Sequence, residues 1–474
     1  MKVRAKLVPP VTDGNNIRKG RVPMLYTRNK PHKRKPNWKN ILLTALCVAL
    51  ASASITLLVK SLPAWTGGGS STRLDNSPTA SPSAPAASPS QTPETTPTPE
   101  IEQEPSVEPT ETPVPKRGSG VQSITIGAVG EIAMHEHELQ AAKSGDSYDF
   151  TEFFSRIQPY ISWQDVTIGN LETTIAQDGF DAVRSPSQLL TGLEQAGMDV
   201  LTLANEHILD SDISGAQSTV TAIQEAGMTS VGAYTSGSDF VTPVILQKDD
   251  LRIAVLNYTE STEKNPNGAS DTVKYLTEAA FDNDMKQVQA DETGVDFVIV
   301  CVHWGTEDEQ ALSDSQKSWA QKFADAGVDV VLGSGTHLVQ EMSYVQGVDG
   351  NTTLVAYGLG NFLSGARQGG KDAGVIVNFT LTKDFDADTK SIDEVTYIPT
   401  WVLKYSSQGK YSFEIMSSVE YSQKKYQNMS LTDRDRVKQV QSEIEKALGS
   451  GVGKTDTAIR TMTDGVSTIV DPQE

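Results

Sequence analysis

The chain has 474 residues with 40 basic and 60 acidic side chains, which gives a net charge of −20 at neutral pH. The charge is unevenly distributed: residues 1–40 contain twelve Lys and Arg and one acid, whereas the remainder has 28 basic and 59 acidic residues. This acidic remainder argues against nucleic acid as a partner, because binding to phosphates requires a basic surface. The length allows two or three domains, but roughly the first 120 residues lack the composition of a globular fold.

The first two segments predict a membrane anchor. Residues 1–40 form a basic head, and residues 41–59 are nineteen residues without a charge, followed by Lys60. A helix of that length spans the ~30 Å hydrocarbon core of a bilayer. The basic head predicts a cytoplasmic N-terminus, so 41–60 is interpreted as a single-pass anchor in the cell membrane with the remainder outside. A cleaved signal peptide is the alternative, although its basic region is usually much shorter.

Residues 61–120 are rich in Gly, Ser, Pro, Thr and Glu, and they contain almost no large apolar residue after Trp65. Such a segment cannot bury enough surface to offset the entropy of ordering. It is predicted to be a disordered linker that holds the following domain away from the membrane. Cys47 lies in the anchor and Cys301 is the other cysteine, so no disulfide can form within the folded part.

From residue 121 to residue 425, candidate strands alternate with amphipathic segments that end at glycine. The main strand candidates are 123–130, 165–172, 198–207, 230–234, 252–259, 296–304, 328–334, 352–362 and 373–382. The helix candidates are 186–197, 214–227 and 314–326. This alternation predicts βαβ units with a largely parallel sheet, and the strands that follow Phe379 predict a more antiparallel part.

Residues 426–474 are predicted to follow the domain as a helix and a loose tail. Thr432 and Asp435 match the capping pattern for a helix over 433–448, and Gly449 is a typical residue to end it. The folded domain is therefore expected to close near residue 425.

Polar side chains gather where the candidate strands end. Glu131 and Glu172 follow the first two strands, the motif at 205–210 follows the third, and His303 and His337 follow two buried strands. Five of the six histidines lie at such ends. The carboxyl ends of parallel strands meet at one edge of a sheet, so we expect a shared polar site. Oxygen and imidazole donors without cysteine suit Mn, Zn or Fe in a hydrolytic centre.

Seven motifs in order resemble the CapA family of poly-γ-glutamate capsule synthesis proteins: GEIAMHEHEL, YDF, NLETT, ANEHILD, HWGTEDEQ, GSGTHLVQ and YGLGNFLSG. The resemblance implies an α/β metallophosphoesterase-like fold, a sandwich of two sheets flanked by helices. It implies catalytic roles for His207, His303 and Asp210. It also implies a divalent metal ion, Mn, Zn or Fe, with ligands among Glu131, Glu172, Glu206, His207, His303 and His337.

Three positions depart from the family's pattern. Glu131 stands where Asp is usual, Glu206 replaces the second Asn of an ANNH motif, and Gly335 replaces the first His of an HPH motif. The change at Gly335 removes one metal ligand outright. The additional carboxylate at Glu206 shifts the preference of the site toward harder ions such as Mn or Mg.

Two functions remain open at this point. The first is a metal-dependent hydrolase or transferase that makes, exports or processes an anionic capsule or wall polymer of poly-γ-glutamate type. The second is a non-catalytic component with a degenerate metal site, which binds the polymer or other membrane proteins of a capsule synthesis complex. An acidic domain repels a polyanion over about 8–10 Å, so the polymer would need a metal ion or a local basic patch.

Overall fold

The structure, a computed structural model, describes residues 117–181, 183–235, 243–290, 294–407, 409–418, 429–449, 459–463 and 466–470. Two β-sheets pack face to face in it, and helices cover the outer face of each sheet. The predicted α/β sandwich of two sheets flanked by helices is therefore confirmed. The predicted head and anchor and nearly all of the predicted linker lie outside the described residues. Among the residues that the structure describes, no helix is long and apolar enough to cross a membrane.

Eight strands form the first sheet. In spatial order they are β18 (Lys410–Ser417), β17 (Thr389–Ser407), β16 (Ala373–Asp384), β1 (Val121–Ala133), β4 (Val166–Glu172), β7 (Val200–Thr202) and β8 (Thr229–Val231), with β15 (Asn361–Leu363) paired to β1. β1, β4, β7 and β8 run parallel, whereas β16, β17 and β18 are antiparallel to their neighbours. The predicted antiparallel part after Phe379 thus extends this sheet.

Six strands form the second sheet. In spatial order they are β13 (Met342–Gln346), β14 (Thr352–Ala356), β12 (Val330–Ser334), β11 (Phe297–His303), β10 (Leu251–Thr259) and β9 (Val244–Lys248). The four central strands are parallel, and an antiparallel strand closes each edge. The parallel centre is the arrangement that the alternating pattern of strands and helices predicts.

The described helices are α1 (Glu136–Ala142), α2 (Thr151–Phe154), α3 (Gln158–Ile161), α4 (Gln188–Ala196), α5 (Asp212–Glu225), α6 (Glu278–Val288), α7 (Asp314–Asp325) and α8 (Leu431–Leu448), with a 3₁₀ turn at Ala269–Asp271. Three short pairs complete the secondary structure: β2 (Lys143–Ser144) with β3 (Ser147–Tyr148), β5 (Thr174–Ala176) with β6 (Arg184–Pro186), and β19 (Ile459–Thr463) with β20 (Val466–Val470). α4, α5 and α7 correspond to the three predicted helices.

Alternation along the central strands explains the layers. On β11, Ile299 and Cys301 lie between the two sheets, while Val298 and Val300 pack with α6 and α7 on the outer side. A strand places successive side chains on opposite faces, so a strand buried on both faces has a continuous apolar run. The apolar run that precedes His303 in the sequence therefore corresponds to β11, a strand in the centre of the second sheet.

The predicted strand 352–362 is wrong in its extent, because it divides between the two sheets. Its first half is β14 in the second sheet, and its second half contains β15 in the first sheet. Gly360, in the connection, has a φ of 65°, and its carbonyl oxygen accepts a hydrogen bond from the backbone N–H of Glu131 at 3.0 Å. Both halves are apolar and β-forming, so periodicity does not show where the chain changes sheets.

α8 packs its apolar face on the sandwich. Val437, Val440 and Ile444 are buried in the core between the sheets. The predicted cap at Thr432 and Asp435 is wrong: Ser430 accepts a hydrogen bond from the backbone N–H of Asp433 at 3.1 Å and begins the helix. The sequence contains two overlapping capping patterns two residues apart, and local spacing does not choose between them.

Candidate metal centre at the sheet edges

The carboxyl ends of parallel strands from both sheets meet at one edge. In the first sheet, the parallel register of β1 and β4 places Glu131 opposite Asn170, two residues before Glu172. In the second sheet, β11 ends at His303 beside the end of β12, and His337 follows β12. The structure brings Glu131, Glu172, His303 and His337 into one cluster.

Glu131 is paired with the segment that follows β12. Its Oε1 accepts a hydrogen bond from the backbone N–H of Gly335 at 2.6 Å, and its Oε2 contacts Nδ1 of His337. The side chain of Glu131 is fully buried and that of His337 is 12% exposed. Burial disfavours a charged imidazole, but the charge and hydrogen bond of Glu131 prevail and raise the pKa of His337 to about 10. The contact with Glu131 therefore favours the protonated form of His337 in the absence of an ion.

Glu172 and His303 form a second buried pair. Oε1 of Glu172 lies 2.9 Å from Nε2 of His303 and accepts a hydrogen bond from Nδ2 of Asn170 at 2.8 Å. Burial opposes the charge on both groups, yet their mutual attraction lowers the pKa of Glu172 and raises the pKa of His303. Asn205 donates to Oδ1 of Asn170 at 3.2 Å, so two amides at strand ends orient this carboxylate.

One oxygen of the cluster has no hydrogen-bond donor within the described part of the chain. Oε2 of Glu172 is buried and unpartnered, and Nδ1 of His337 lies 3.9 Å from it. An unpartnered buried carboxylate oxygen costs free energy unless a ligand or ion satisfies it. Ligand atoms of Glu131, Glu172 and His337 all lie within 4.8 Å of one another. Two carboxylates and an imidazole are donors that Mn, Zn and Fe accept, so these residues fit a divalent cation.

Two departures from the family's pattern are in direct contact. Gly335, where the resemblance to the CapA family implies a histidine, donates its backbone N–H to Glu131, where the resemblance implies a shorter aspartate. Gly335 has a φ of 106°, and a Cβ atom there would lie 2.7 Å from the carbonyl oxygen of Trp304. A histidine at position 335 therefore requires the backbone to move. His337 has a φ of 58°, a left-handed conformation that is costly for a non-glycine residue and is concentrated at functional sites.

Three predicted site residues lie at the mouth of the cluster. Nδ1 of His207 lies 2.9 Å from Oδ2 of Asp210, and the His207 side chain is 33% exposed. Oε1 of Glu206 is 3.6 Å from Nε2 of His207 and 3.8 Å from Nε2 of His337. Burial, together with the negative charge of Glu172, raises the pKa of Glu206. Glu206 and His207 therefore border the group formed by Glu131, Glu172 and His337.

Two charged residues at this mouth, Glu307 and Lys371, were not among the predicted site residues. Oε1 of Glu307 lies 3.7 Å from Nε2 of His337 and 3.5 Å from Nζ of Lys371. Lys371 also contacts Oδ1 of Asp308 at 2.7 Å. Glu307 lies four residues after His303 in a recognisable motif, which is a usable signal. Lys371 lies in a loop far along the chain and has no such signal.

The remaining two strand-end histidines differ in position. His135 reaches the edge of the site, where its Nε2 lies 3.5 Å from Oγ of Ser364. His137 instead packs against Tyr411 with ring centroids 4.7 Å apart, and its Nδ1 lies 3.0 Å from Nζ of Lys404. The expectation of one shared site for all five strand-end histidines is therefore too broad, because His137 contacts β17 and β18 instead.

Comparison with protein families gives a match over the region that contains this cluster. The family model described as "Bacterial capsule synthesis protein PGA_cap" matches residues 125–366, which is half of the chain. The matched range begins in β1 and ends just after β15. It includes every residue of the cluster and of its mouth except Lys371.

Curated relatives are similar over part of their length. The capsule biosynthesis protein CapA of Bacillus anthracis is 26% identical over 271 residues, which cover 54% of this chain and 63% of that protein. The PGA biosynthesis protein CapA of Bacillus subtilis is 26% identical over 245 residues, covering 50% of this chain and 62% of that protein. A probable polyglutamine synthesis accessory protein of Mycobacterium tuberculosis is 31% identical over 192 residues, covering 36% and 50%. The chain thus spans less than two thirds of each relative.

Two solved structures are distantly similar. A phosphatase from Mycoplasma pneumoniae is 13% identical with a TM-score of 0.36, covering 59% of this chain and 94% of that one. The calcineurin-like phosphoesterase YfkN from Bacillus subtilis is 12% identical with a TM-score of 0.32, covering 69% and 98%. TM-scores of this size carry no argument about the activity of this chain.

Proposed function

The chain belongs to the bacterial capsule synthesis protein family PGA_cap, and from this membership we propose that it takes part in making, exporting or processing a capsule or wall polymer. The names of its relatives, a capsule biosynthesis protein and a PGA biosynthesis protein, support an anionic polymer of poly-γ-glutamate type. The proposed partners are this polymer and other membrane proteins of a capsule synthesis complex. The apolar residues 41–59 after a basic head support a single-pass anchor with the domain outside the cell membrane.

We further propose that the domain is a metal-dependent hydrolase. The observation that carries this proposal is the buried, unpartnered Oε2 of Glu172 between two other candidate ligands. Glu131, Glu172 and His337 would hold the ion, and His303 orients Glu172. A bound divalent ion lowers the pKa of water and polarises a phosphoryl or acyl oxygen.

The residues at the mouth of the site suit proton transfer. Asp210 holds Nδ1 of His207 at 2.9 Å, which leaves Nε2 of that imidazole facing the mouth near Glu206. An imidazole oriented by a carboxylate can hold a proton at one nitrogen and deliver it to a leaving group. His207 is therefore the proposed acid or base, Asp210 positions it, and His303 positions Glu172.

A non-catalytic role is the second candidate, and a specific observation favours it. Both oxygens of Glu131 already have partners in Gly335 and His337, and His303 is paired with Glu172. Two imidazoles can thus neutralise two carboxylates without an ion. In this case the cleft binds the polymer or a protein of the synthesis complex and holds no metal.

Metal content distinguishes the two candidates. The full-length chain is stripped with a chelator, incubated with Mn²⁺ or Zn²⁺, dialysed and measured by elemental analysis. We expect about one equivalent of ion in the native chain and none in Glu172→Gln, because that variant loses the unpartnered charged oxygen. Glu263→Gln, which changes an exposed carboxylate near the site, is the matched control and should retain the ion. A native chain without metal would overturn the hydrolase proposal.

The cellular role is tested by complementation. A strain that lacks this chain should show less surface polymer, and the native chain should restore it. If metal chemistry is required, Glu172→Gln should fail to restore the polymer although it accumulates normally, whereas Glu263→Gln should succeed. Restoration by Glu172→Gln would support the non-catalytic role.

Protease added to intact cells should remove the domain and leave an anchored fragment, and finding the domain in the medium would contradict the anchor.

A further inference from the structure

A groove of about 1010 Å³ opens on the helix-covered side of the first sheet, beside the candidate metal centre. The β2–β3 turn, β5, the start of α4 and one face of α5 supply most of its lining. Thr174 lies two residues after Glu172, and Ser211 directly follows Asp210. The hydroxyls of Thr174 and Ser211 are 2.8 Å apart in the groove, so the chain leads directly from the cluster into it.

The lining of this groove is polar and almost uncharged. Eight serine or threonine residues and three glutamines line it. Its two charged lining residues, Asp146 and Glu225, are both acidic, and no Lys, Arg or His lines it among the residues that the structure describes. These two charged lining residues would repel a polyanion. Hydroxyl and amide groups both donate and accept hydrogen bonds, which suits a neutral ligand rich in the same groups.

Two hydroxyls on α5 are available to such a ligand. Ser214 and Ser218 are exposed, and they lie one helical turn apart on the same face. Neither side chain has a hydrogen-bond partner in the described ranges of the chain. Thr221 on the same helix instead donates to the carbonyl oxygen of Gln217 at 3.0 Å. The two serines therefore present unengaged donors and acceptors along the groove.

An aromatic pair also lines the groove. Tyr148 and Phe180 are half-buried, and their rings meet edge to face with centroids 5.3 Å apart. The contact restricts the orientation of both rings, and part of each ring remains accessible. An aromatic face carries partial negative charge and offers a large apolar area, and the C–H groups on one face of a sugar ring complement both properties. Aromatic rings beside hydroxyl and amide groups are thus suited to sugars.

We propose that this groove binds a neutral glycan chain. The absence of basic residues from the described part of the lining disfavours an acidic polymer, and the polar walls disfavour a purely apolar ligand. A glycan bound here would hold the domain on a sugar polymer at the cell surface while the neighbouring metal centre remains accessible. The inference goes beyond the proposed function and does not depend on metal binding.

Titration calorimetry on the full-length chain tests the groove. The probe is a hexamer of N-acetylglucosamine, and a poly-γ-glutamate oligomer of similar length is the acidic comparison. Phe180→Ala should weaken hexamer binding by about tenfold or more, because it removes an aromatic contact. Ser218→Trp fills the groove from an exposed position and should weaken binding to a similar extent. Tyr344→Ala changes an exposed aromatic on β13, in the other sheet, and should leave binding unchanged.

Further readouts separate this proposal from the metal proposal. Glu172→Gln should keep its affinity for the hexamer, and Phe180→Ala should keep its metal content. The thermal midpoints of the two groove variants, Phe180→Ala and Ser218→Trp, should be unchanged. A native chain that does not bind the hexamer would overturn the proposal. Hexamer binding that stays within twofold in both groove variants would overturn it as well. The proposal would also be overturned if the chain bound poly-γ-glutamate and the groove variants abolished that binding, because the acidic polymer would then be the occupant.

Discussion

Two buried ionic clusters in this domain differ in whether their charges are saturated. On the outer side of the second sheet, the carboxylate of Asp284 accepts hydrogen bonds from Nζ of Lys274 at 2.5 and 2.6 Å and from the hydroxyl of Tyr258 at 2.7 Å. The side chains of Lys274 and Asp284 are 4% and 1% exposed. Both oxygens of this carboxylate therefore have strong donors, and nothing remains for a ligand.

The cluster at the sheet edges is equally buried, but its hydrogen bonding is incomplete. Glu131 and Glu172 have fully buried side chains, and each is paired with an imidazole. Oε2 of Glu172 nevertheless has no donor among the described residues. Burial of charge is compensated by internal partners in the first cluster and leaves an unused oxygen in the second. A cluster with unused capacity can accept an ion, whereas a saturated one stabilises the fold alone.

The largest expected effect is the loss of the saturated cluster. Asp284→Ala leaves the ammonium of Lys274 buried without its carboxylate, so the free energy of unfolding should fall by about 3–5 kcal/mol. Denaturant unfolding measures this loss, which should not change when Mn²⁺ is added. Asp282→Ala on the same helix removes a 65% exposed carboxylate and should change stability by less than about 0.5 kcal/mol. Equal losses in the two variants would contradict the difference in saturation.

A third ion pair extends the comparison to pH. Asp372 accepts hydrogen bonds from Arg436 on α8 at 2.6 and 3.0 Å and from Nε1 of Trp401 at 2.8 Å. Burial opposes its charge, but these donors prevail and lower the pKa of Asp372. A lowered pKa contributes stability that is present above the unfolded value of about 3.9 and is lost as pH falls through the folded value.

Asp372→Asn should therefore cost about 1.5–3 kcal/mol at pH 7, since hydrogen bonds to a charged group are lost. The cost should shrink as pH falls below about 4, where the unfolded chain begins to bind a proton at this carboxyl group, and it should be lost once pH falls through the lower folded pKa of Asp372. Thermal unfolding of both chains from pH 7 to pH 2 measures this convergence. Glu443→Gln, which removes the 56% exposed partner of Arg436, is the control with a small effect at every pH. Parallel curves for Asp372→Asn and the native chain would be inconsistent with this assignment.

Shortening Glu131 tests the remodelled side of the incomplete cluster. Glu131→Asp should withdraw the carboxylate from the buried N–H of Gly335, at a cost of about 1–3 kcal/mol in metal-free protein. Added Mn²⁺ should recover part of this loss, because two carboxylates and an imidazole remain. Glu341→Asp, an equivalent shortening at an exposed position, should have no effect. If Mn²⁺ stabilises neither the native chain nor Glu131→Asp, this cluster does not bind the ion and belongs with the saturated ones.

The smallest expected effect on stability is at the mouth of the site. His207 is one third exposed, so its contact with Asp210 is partly screened by water and should contribute no more than about 1 kcal/mol. Asp210→Asn should leave metal content unchanged and reduce any hydrolytic rate, because His207 loses the partner that orients it. Thermal unfolding and rate measurements on the same preparation check both effects. A large loss of stability would show that the pair is structural.

The sequence alone determined the elements and the edge at which polar residues gather. Strand and helix periodicity depends on which face each side chain occupies, and this is a local property that neighbouring residues record. The apolar run before His303 and the motif before Glu172 therefore predicted strands, and parallel strands place their ends together. Three of the six predicted ligands, Glu131, Glu172 and His337, proved to share one group.

Only the tertiary structure decided how those residues are paired. The contact between Glu131 and Gly335 joins positions 204 residues apart in the sequence, across the two sheets, and no local pattern encodes that distance. Whether Oε2 of Glu172 has a hydrogen-bond donor depends on which groups from distant segments pack around it. The position of Lys371 depends on where the chain returns after it crosses from β14 to β15. These features arise from packing between distant segments, which periodicity and motif spacing do not describe.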